Sequence, residues 1–322
     1  MLNQPNPWAA TGVALTGFGL YYPRNRIVNE DFSRGGDNPI DASVLGTVSV
    51  RARHRSSETE TIPYMGAEAG RLAVADAGLA PAELDLVVLA SWTVPPFVPE
   101  HAPETAALLG CPRTLAFDVS GACTGFIHAT GIAAAHLNTL PHTRHALVVC
   151  SEQFSRRARP GSKGELVCGD AAGAVVLSKR PENPGLIDLV LRSDGERAKV
   201  VSAPAPHGWV RSQKDLPEHA VSSIVEVSGE LLRRNGLDMD TVDWVVPHPG
   251  TDVVHNRVRE ALGVPAGKFV VNFQERGNTS SASIPIVLAE ARGAGRFRPG
   301  DLVLSPAIGA GWYYGAMLYR VG

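Results

Sequence analysis

Three residues in this chain pair a reactive side chain with a local pattern able to aim it. Cys123 lies in DVSGACTGFIHATGIAAAHL. Asp118–Gly121 predict a turn, and Thr124 onward predicts a small-residue helix, so the cysteine falls at a helix N-terminus. Free N–H groups and the positive end of the helix dipole favour a thiolate there. Gly121 and Gly125 leave room around the sulfur. His248 lies in VDWVVPHPGTD, just after a predicted strand Trp244–Val246. A histidine at the C-terminal end of a buried strand faces the crevice where α/β proteins bind ligands. Asn278 lies in ERGNTSSASIPIVLAEA, on a Gly-Asn turn running into a helix. Its amide can be aimed at a carbonyl oxygen. Structural uses compete with each reading. A cysteine packs as a small hydrophobe, a histidine can be satisfied in place, and an asparagine caps a helix. Two stretches, Gly169–Leu177 (GDAAGAVVL) and Ala307–Leu318 (AIGAGWYYGAML), read as small-residue turns whose backbone N–H groups can approach a ligand.

Other chemistries lack their residues. His54, His101, His128, His136, His142, His145, His207, His219 and His255 show no paired ligand spacing. H-E-x-x-H and Cys/His grids are missing, so no metal is expected. No GxGxxG follows a strand and no P-loop occurs, which disfavours nicotinamide and nucleotide enzymes. The net charge is −2, from 30 Lys+Arg against 32 Asp+Glu. That is no nucleic-acid binder. The four cysteines form no C-x-x-C pair and no disulfide scaffold. The opening MLNQPNPWAATGVALTG lacks a basic region followed by an apolar one. Long uncharged runs are broken by Gly, Pro, Ser and Thr, so no membrane helix is expected. The expectation is a cytoplasmic protein with reduced thiols.

The elements that must position these residues alternate. Leu86–Ala90, Ala146–Cys150, Ala174–Ser178 and Leu302–Ser305 read as short buried strands, with Ala- and Leu-rich helical stretches between them. That order predicts an α/β fold. With 322 residues and 44% hydrophobic content, the core is large. The chain also repeats itself. RLAVADAGLAPAELDLVVLAS (Arg71–Ser91) and GELLRRNGLDMDTVDWVVPHP (Gly229–Pro249) share one order: helix, Gly-Leu stop, link, acidic residue, strand. A weaker pair matches Arg144–Ser151 and Gly173–Ser178 to Gly300–Ser305 and Gly315–Tyr319. Such copies predict a duplicated α/β unit, with halves 1–180 and 181–322 meeting near Lys179–Asn183. Ser33–Asp41 and Ala203–Pro217 carry turn chemistry and read as loops. The second could be a lid or a substrate-entry wall.

The order GACTGF, GDAAGAVVL, VVPHPGTD, GNTSSASIP and a Gly-rich C-terminal turn resembles the β-ketoacyl-acyl-carrier-protein synthase III family. The opening TGFGLYYPRNRIVNEDF and the VRARHR stretch (Val50–Arg55) fit as well. The resemblance implies a thiolase-like five-layered αβαβα sandwich built from two duplicated halves. It implies an acylated nucleophile at Cys123, with His248 and Asn278 supporting decarboxylation of a malonyl thioester. It places the oxyanion hole at Cys123 and in the turn Gly309, Ala310 and Gly311. It implies a homodimer, with Pro95–Pro103 near the interface and pocket. No cofactor is implied, only acyl-CoA or acyl-carrier-protein thioesters as substrates.

Several positions depart from the family pattern. Ser43 and Thr47 stand where a tryptophan and an arginine commonly clamp coenzyme A. Pro249, Gly250 and Thr251 replace Gln-Ala-Asn, and Val253 lies where a carrier-docking arginine is usual. Ala310 replaces the middle glycine, and the bulky Trp312, Tyr313 and Tyr314 are expected to reshape the acyl pocket. These departures point to a specialised relative, in secondary rather than housekeeping metabolism. The leading expectation is decarboxylative Claisen condensation of an acyl thioester with a malonyl or β-ketoacyl thioester, in specialised or fatty-acid-like biosynthesis. The alternatives are acyl transfer from Cys123 to an oxygen or nitrogen nucleophile, and a silent subunit of a heteromeric synthase. A papain-like hydrolase has the same residue types, but the duplicated pattern fits that fold poorly.

Overall fold

The computed structural model describes residues 8, 11–34, 40, 42–95, 98–182, 185–248 and 250–322. In chain order the elements are β1 (Val13–Tyr21), β2 (Asn25–Val28), α1 (Asp31–Arg34), α2 (Ala42–Leu45), β3 (Ala52–Arg55) and α3 (Ile62–Asp76). Next come β4 (Leu86–Ala90), α4 (His101–Leu109), β5 (Leu115–Val119), α5 (Gly125–Thr139), β6 (His145–Gln153), α6 (Lys163–Val167) and β7 (Asp170–Lys179). The remainder is β8 (Leu186–Ser193), β9 (Val201–Ser202), β10 (Arg211–Ser212), α7 (Leu216–Arg234), β11 (Trp244–Val245), α8 (Asp252–Ala261), α9 (Phe273–Arg276), α10 (Ser283–Gly293), β12 (Leu302–Gly309) and β13 (Tyr313–Arg320).

Two sheets carry the fold. One runs β1-β7-β6-β4-β5 and the other β11-β12-β13-β8. In the first, β4 pairs parallel with β6, while β6–β7 and β7–β1 are antiparallel. In the second, β11 pairs parallel with β12, while β12–β13 and β13–β8 are antiparallel. The pairing directions of β4, β6, β7 and β1 therefore repeat in β11, β12, β13 and β8, with β5 matched only by the parallel bridge Val245–Phe269, and the fold is two duplicated halves. The repeat reaches the helix stops. Gly78 (φ +70°) ends α3, with Leu79 N donating to Val74 O at 3.0 Å. Gly236 (φ +67°) ends α7, with Leu237 N donating to Leu232 O at 2.9 Å. Each is a glycine in the left-handed cap that closes a Schellman-type turn.

Side-chain alternation builds the layers. On β4, Leu86, Val88 and Ala90 face the central core, and Val87 and Leu89 face the outer helices α3 and α4. On β12, Val303 and Ala307 face the central core, and Leu302 and Leu304 face α7. Helices α5 and α10 lie between the sheets, and their buried side chains, Phe126 and Ile284 among them, fill the centre. A strand buried on both faces reads as a continuous apolar run. The result is the five-layered αβαβα sandwich.

Several expectations need correction. Leu86–Ala90 is a strand with those bounds, those expected at Ala146–Cys150, Ala174–Ser178 and Leu302–Ser305 extend further, and that expected at Trp244–Val246 ends at Val245. Gly169–Leu177 is no turn: Asp170 onward is the ten-residue β7, fully buried until Lys179. Ala307–Leu318 is mostly the ends of β12 and β13, with a turn only at 310–312. Asp118 belongs to β5, and its carboxylate accepts from His101 N and Ala102 N at the start of α4. Strands β1, β5 and β8 were not anticipated. Glycine in β1, and aspartate in β5 and β8, mask their patterns. Ser33 and Arg34 end α1, while residues 35–39 and 41 of that expected loop lie outside the described residues, as does Asn183. Within Ala203–Pro217, β10 pairs with β9 and α7 begins at Leu216. Among the described residues no helix is long and apolar enough to cross a membrane.

Phe126→Ala, in the central layer, is expected to cost about 3–5 kcal/mol. Urea unfolding followed by circular dichroism should show a lower midpoint with an unchanged slope.

Candidate active site

One cavity of about 430 Å³ brings Cys123, His248 and Asn278 into a single wall, with Gly309 and Ala310 beside them. Gly311 does not line it. Cys123 sits in a 3₁₀ turn, Ala122–Thr124, that leads into α5. The residue before it, Ala122, has φ +46°, a strained conformation for a side chain with a Cβ. His248 follows β11, and its N–H donates to Pro306 O at 2.9 Å, so β12 sets its depth. Gly309, at the end of β12, packs on the nucleophile's backbone. A Cβ there would lie 3.1 Å from both Cys123 N and Thr124 N.

Asn278 reaches the cavity through a bridge between the sheets' halves. Its N–H donates to Val167 O at 2.7 Å, and its carbonyl accepts from Gly169 N at 2.9 Å. Gly277 (φ +67°) makes this contact possible, since a Cβ there would lie 2.4 Å from Val167 O. Beneath the bridge, Arg53 of β3 is fully buried and donates Nε to Leu166 O at 3.1 Å. The VRARHR stretch therefore supports the site from below. The Asn278 amide makes the local cap expected of it and leaves its Nδ2 at the cavity. Oδ1 accepts from Ser280 N at 2.8 Å, a local cap, and Nδ2 lies 3.4 Å from Gly250 O at the cavity wall.

Burial governs the charges. The Cys123 thiol is pushed up to about 12, chiefly by loss of water around the sulfur. The Ser280 hydroxyl pulls it down, and the Glu152 carboxyl pushes it up. The cavity opens over one side of Cys123, and protein encloses the rest. Desolvation thus outweighs the thiolate-favouring helix terminus expected from sequence. Burial holds His248 down to about 3, so its imidazole is neutral near pH 7. Among the described residues its Nδ1 has no hydrogen-bond partner. His255 is also held to about 3, by burial and then by His248, and its Nε2 lies 3.3 Å from His248 O.

The comparisons with known proteins agree with this frame. A model of 3-oxoacyl-[acyl-carrier-protein] synthase III matches residues 117–195, and a model of its C-terminal region matches residues 232–321. A β-ketoacyl-[acyl-carrier-protein] synthase III from Sphingopyxis alaskensis is 37% identical over 317 residues, covering 95% of this chain and 98% of that one. The chain belongs to the β-ketoacyl-[acyl-carrier-protein] synthase III family. The solved synthase III of Aquifex aeolicus superposes with a TM-score of 0.90 at 33% identity, over 96% of this chain and 100% of that one. The priming β-ketosynthase of the R1128 polyketide pathway superposes at 0.88 with 28% identity, over 96% of each chain.

Within this synthase III chain, the departures occupy definite places. Thr47 follows α2, and its carbonyl accepts from Lys163 Nζ at 3.2 Å, at the cavity mouth. Gly250 and Thr251 line the cavity; Pro249 lies outside the described residues. Trp312, Tyr313 and Tyr314, expected to reshape the pocket, do not themselves line it. Trp312 is fully buried behind the wall, packed with Ile224, Val254 and Ile308, and donates Nε1 to Ser223 Oγ at 3.0 Å. Sequence reasoning missed two further groups. Arg157, Arg159 and Lys163 line the cavity. Glu152, fully buried, accepts from Ser281 Oγ at 2.6 Å and Thr93 Oγ1 at 2.7 Å. Glu152 sits in the unbroken strand run of β6, and its pairing with Ser281 of the GNTSSAS segment and with Thr93 marks it.

Two outcomes follow from this geometry. Gly277→Ala is expected to destabilise the protein by about 1–3 kcal/mol through backbone strain, and chemical denaturation checks it. The unfolded chain protonates His248 and His255 near their ordinary range, and the folded chain only near 3. Their contribution to stability is therefore complete above about pH 6.5 and is lost as the pH falls toward 3. Each ring adds a slope of about 1.4 kcal/mol per unit across that window. His255→Leu should flatten the loss of unfolding free energy between pH 6 and pH 5, and an unchanged slope would contradict the assignment.

Proposed function

We propose that this chain condenses an acyl thioester with a malonyl thioester, through an acyl-Cys123 intermediate and with loss of carbon dioxide. The observation that carries the reading is the shared wall of the cavity. A thiol, a neutral imidazole and a primary amide meet there, and none of the described lining residues is Asp or Glu. An acyl thioester needs a soft nucleophile, and a cysteine thiolate is one. Cys123 Sγ attacks the thioester carbonyl, the carrier thiolate leaves with a proton, and a new thioester forms on the enzyme. We read the backbone N–H groups of Cys123, Gly309 and Ala310, residues that line the cavity, as the donors to the tetrahedral oxyanion. Malonyl thioester then enters. Its C–C bond to the carboxylate breaks, carbon dioxide leaves, and the electron pair forms an enolate. His248 as neutral donor and the Asn278 amide both donate to that enolate oxygen without adding negative charge. The enolate carbon attacks acyl-Cys123, the C–S bond breaks, and the β-ketoacyl product leaves a Cys123 thiolate, which takes a proton from water.

The carrier reading rests on the mouth. Arg157, Arg159 and Lys163 suit the phosphates of coenzyme A or of an acyl-carrier-protein arm. We read residues 1–180 as the half bearing the nucleophile and 181–322 as the half bearing His248 and Asn278, since each sheet draws its strands from one of these spans. We also read the protein as a cytoplasmic homodimer joined along the edge strand β5, where Leu115 is 53% exposed. Pro96 and Phe97 of the expected interface segment lie outside the described residues.

The test follows carbon dioxide and the mass of the protein on a panel of acyl thioesters plus malonyl thioester. Cys123→Ala should abolish both the acyl adduct and condensation. Asn278→Asp should keep the adduct and lower carbon dioxide release by roughly 10²–10³-fold, the usual loss for one oxyanion donor. Adduct formation without carbon dioxide, in the unaltered protein, would move the assignment to acyl transfer onto an oxygen or nitrogen nucleophile.

A further inference from the structure

Directly behind Cys123 lies a hydroxyl that the reaction above does not use. Ser280 is fully buried, and its Oγ lies 3.4 Å from Cys123 Sγ. The same oxygen accepts from Trp92 Nε1 at 2.8 Å. An indole N–H is a donor only. The serine oxygen therefore accepts there, and its single proton is left for another partner. Trp92 is itself held in place. Its ring packs edge-on against Phe154, with centroids 5.6 Å apart, and its backbone N–H donates to Glu152 Oε2 at 3.3 Å. The backbone of Ser280 has φ +55°, which residues bearing a Cβ seldom adopt. Asn278 Oδ1 maintains that conformation by accepting Ser280 N–H at 2.8 Å. Strain of this kind, one contact away from a reactive sulfur, points to a working role.

We propose that Ser280 donates a hydrogen bond to the Cys123 thiolate, and that Trp92 is the positioning residue that directs the hydroxyl. The inference rests on the reading of Cys123 as the nucleophile. When the thiol proton leaves, to water during alkylation or to the departing carrier thiolate during acylation, the Ser280 O–H turns to the sulfur and no bond of the serine breaks. A charge-assisted hydrogen bond is about twice as strong as a neutral one. It therefore favours the ionised sulfur over the thiol, against the desolvation that opposes ionisation at this site. Once the sulfur is acylated it carries no charge, so the preference disappears with the thiolate.

The experiment is alkylation of Cys123 by iodoacetamide from pH 6 to pH 10.5, followed by intact mass spectrometry, with Cys123→Ala to assign the adduct. Ser280→Gly is the decisive variant. Glycine adopts φ +55° freely, so it removes the hydroxyl while relieving the strain. Its rate profile is expected to move to higher pH by roughly one unit, the shift that loss of a hydrogen bond to a charged group produces. Ser280→Ala should move equally. Trp92→Phe keeps an aromatic ring at that position while removing the indole N–H together with the five-membered ring, and should move the profile in the same direction by less. A Ser280→Gly profile that coincides with that of the unaltered protein overturns the role of the hydroxyl. An unmoved Trp92→Phe profile overturns the role of Trp92. Alkylation needs no malonyl thioester, so failure of condensation and failure of this inference are read separately.

Discussion

The backbone bridge between residues 167–169 and Asn278 is the contact on which the site depends. Two hydrogen bonds of 2.7 and 2.9 Å tie a loop after α9 to the segment before β7. That tie sets an asparagine from the second half against a cysteine from the first. It tolerates little change, because the glycine at 277 leaves no space for a side chain beside Val167 O. Arg53 supports it from β3, and the buried Glu152 of β6 holds the next turn through Ser281. A backbone contact is well suited to this task. Side chains hop between rotamers, whereas a paired peptide group holds position to a few tenths of an ångström.

Burial is the second organising constraint, and it acts on the Cys123 thiol and the His248 imidazole at the cavity and on His255 behind them. Removing water makes a thiolate costly and keeps both buried imidazoles neutral. The two effects have opposite consequences for the chemistry. A neutral His248 is what hydrogen-bond donation to an enolate calls for. A hard-to-ionise Cys123 needs local help. The strained backbones of Ala122 and Ser280 flank that sulfur, so conformational strain gathers where the electrostatic demand is greatest. The large core, with five interleaved layers, supplies the stability that holds such strain in place.

The fold was legible wherever a strand is buried on both faces. Leu86–Ala90 carries five apolar residues in a row, all buried, in the short run typical of a strand covered on both faces. It was hidden where glycine or aspartate interrupts the run. In β1, Gly17 and Gly19 let α3 sit directly on the strand, so the absent side chains are a packing requirement and not a turn signal. In β8, Asp188 is fully buried because Arg234 and Asn235 of the second half satisfy it. A partner 46 residues away is invisible to local patterning. GDAAGAVVL misled for the same reason: small residues on β7 make room for α10 rather than for a ligand.

By itself, the sequence determined the duplicated α/β order, the helix stops at Gly78 and Gly236, and the three residue types able to carry acyl chemistry. Those features are local, set by side-chain periodicity and by the φ that glycine alone adopts easily. Tertiary structure decided everything that depends on separation along the chain closing to contact. It brought Cys123, His248 and Asn278 to one cavity and drew Trp312 behind the wall instead of into it. It also placed Trp92 and Ser280, 188 residues apart, in hydrogen-bond contact beside the sulfur. The protonation states belong to this second class as well, because desolvation is a property of the assembled neighbourhood and no single segment contains it.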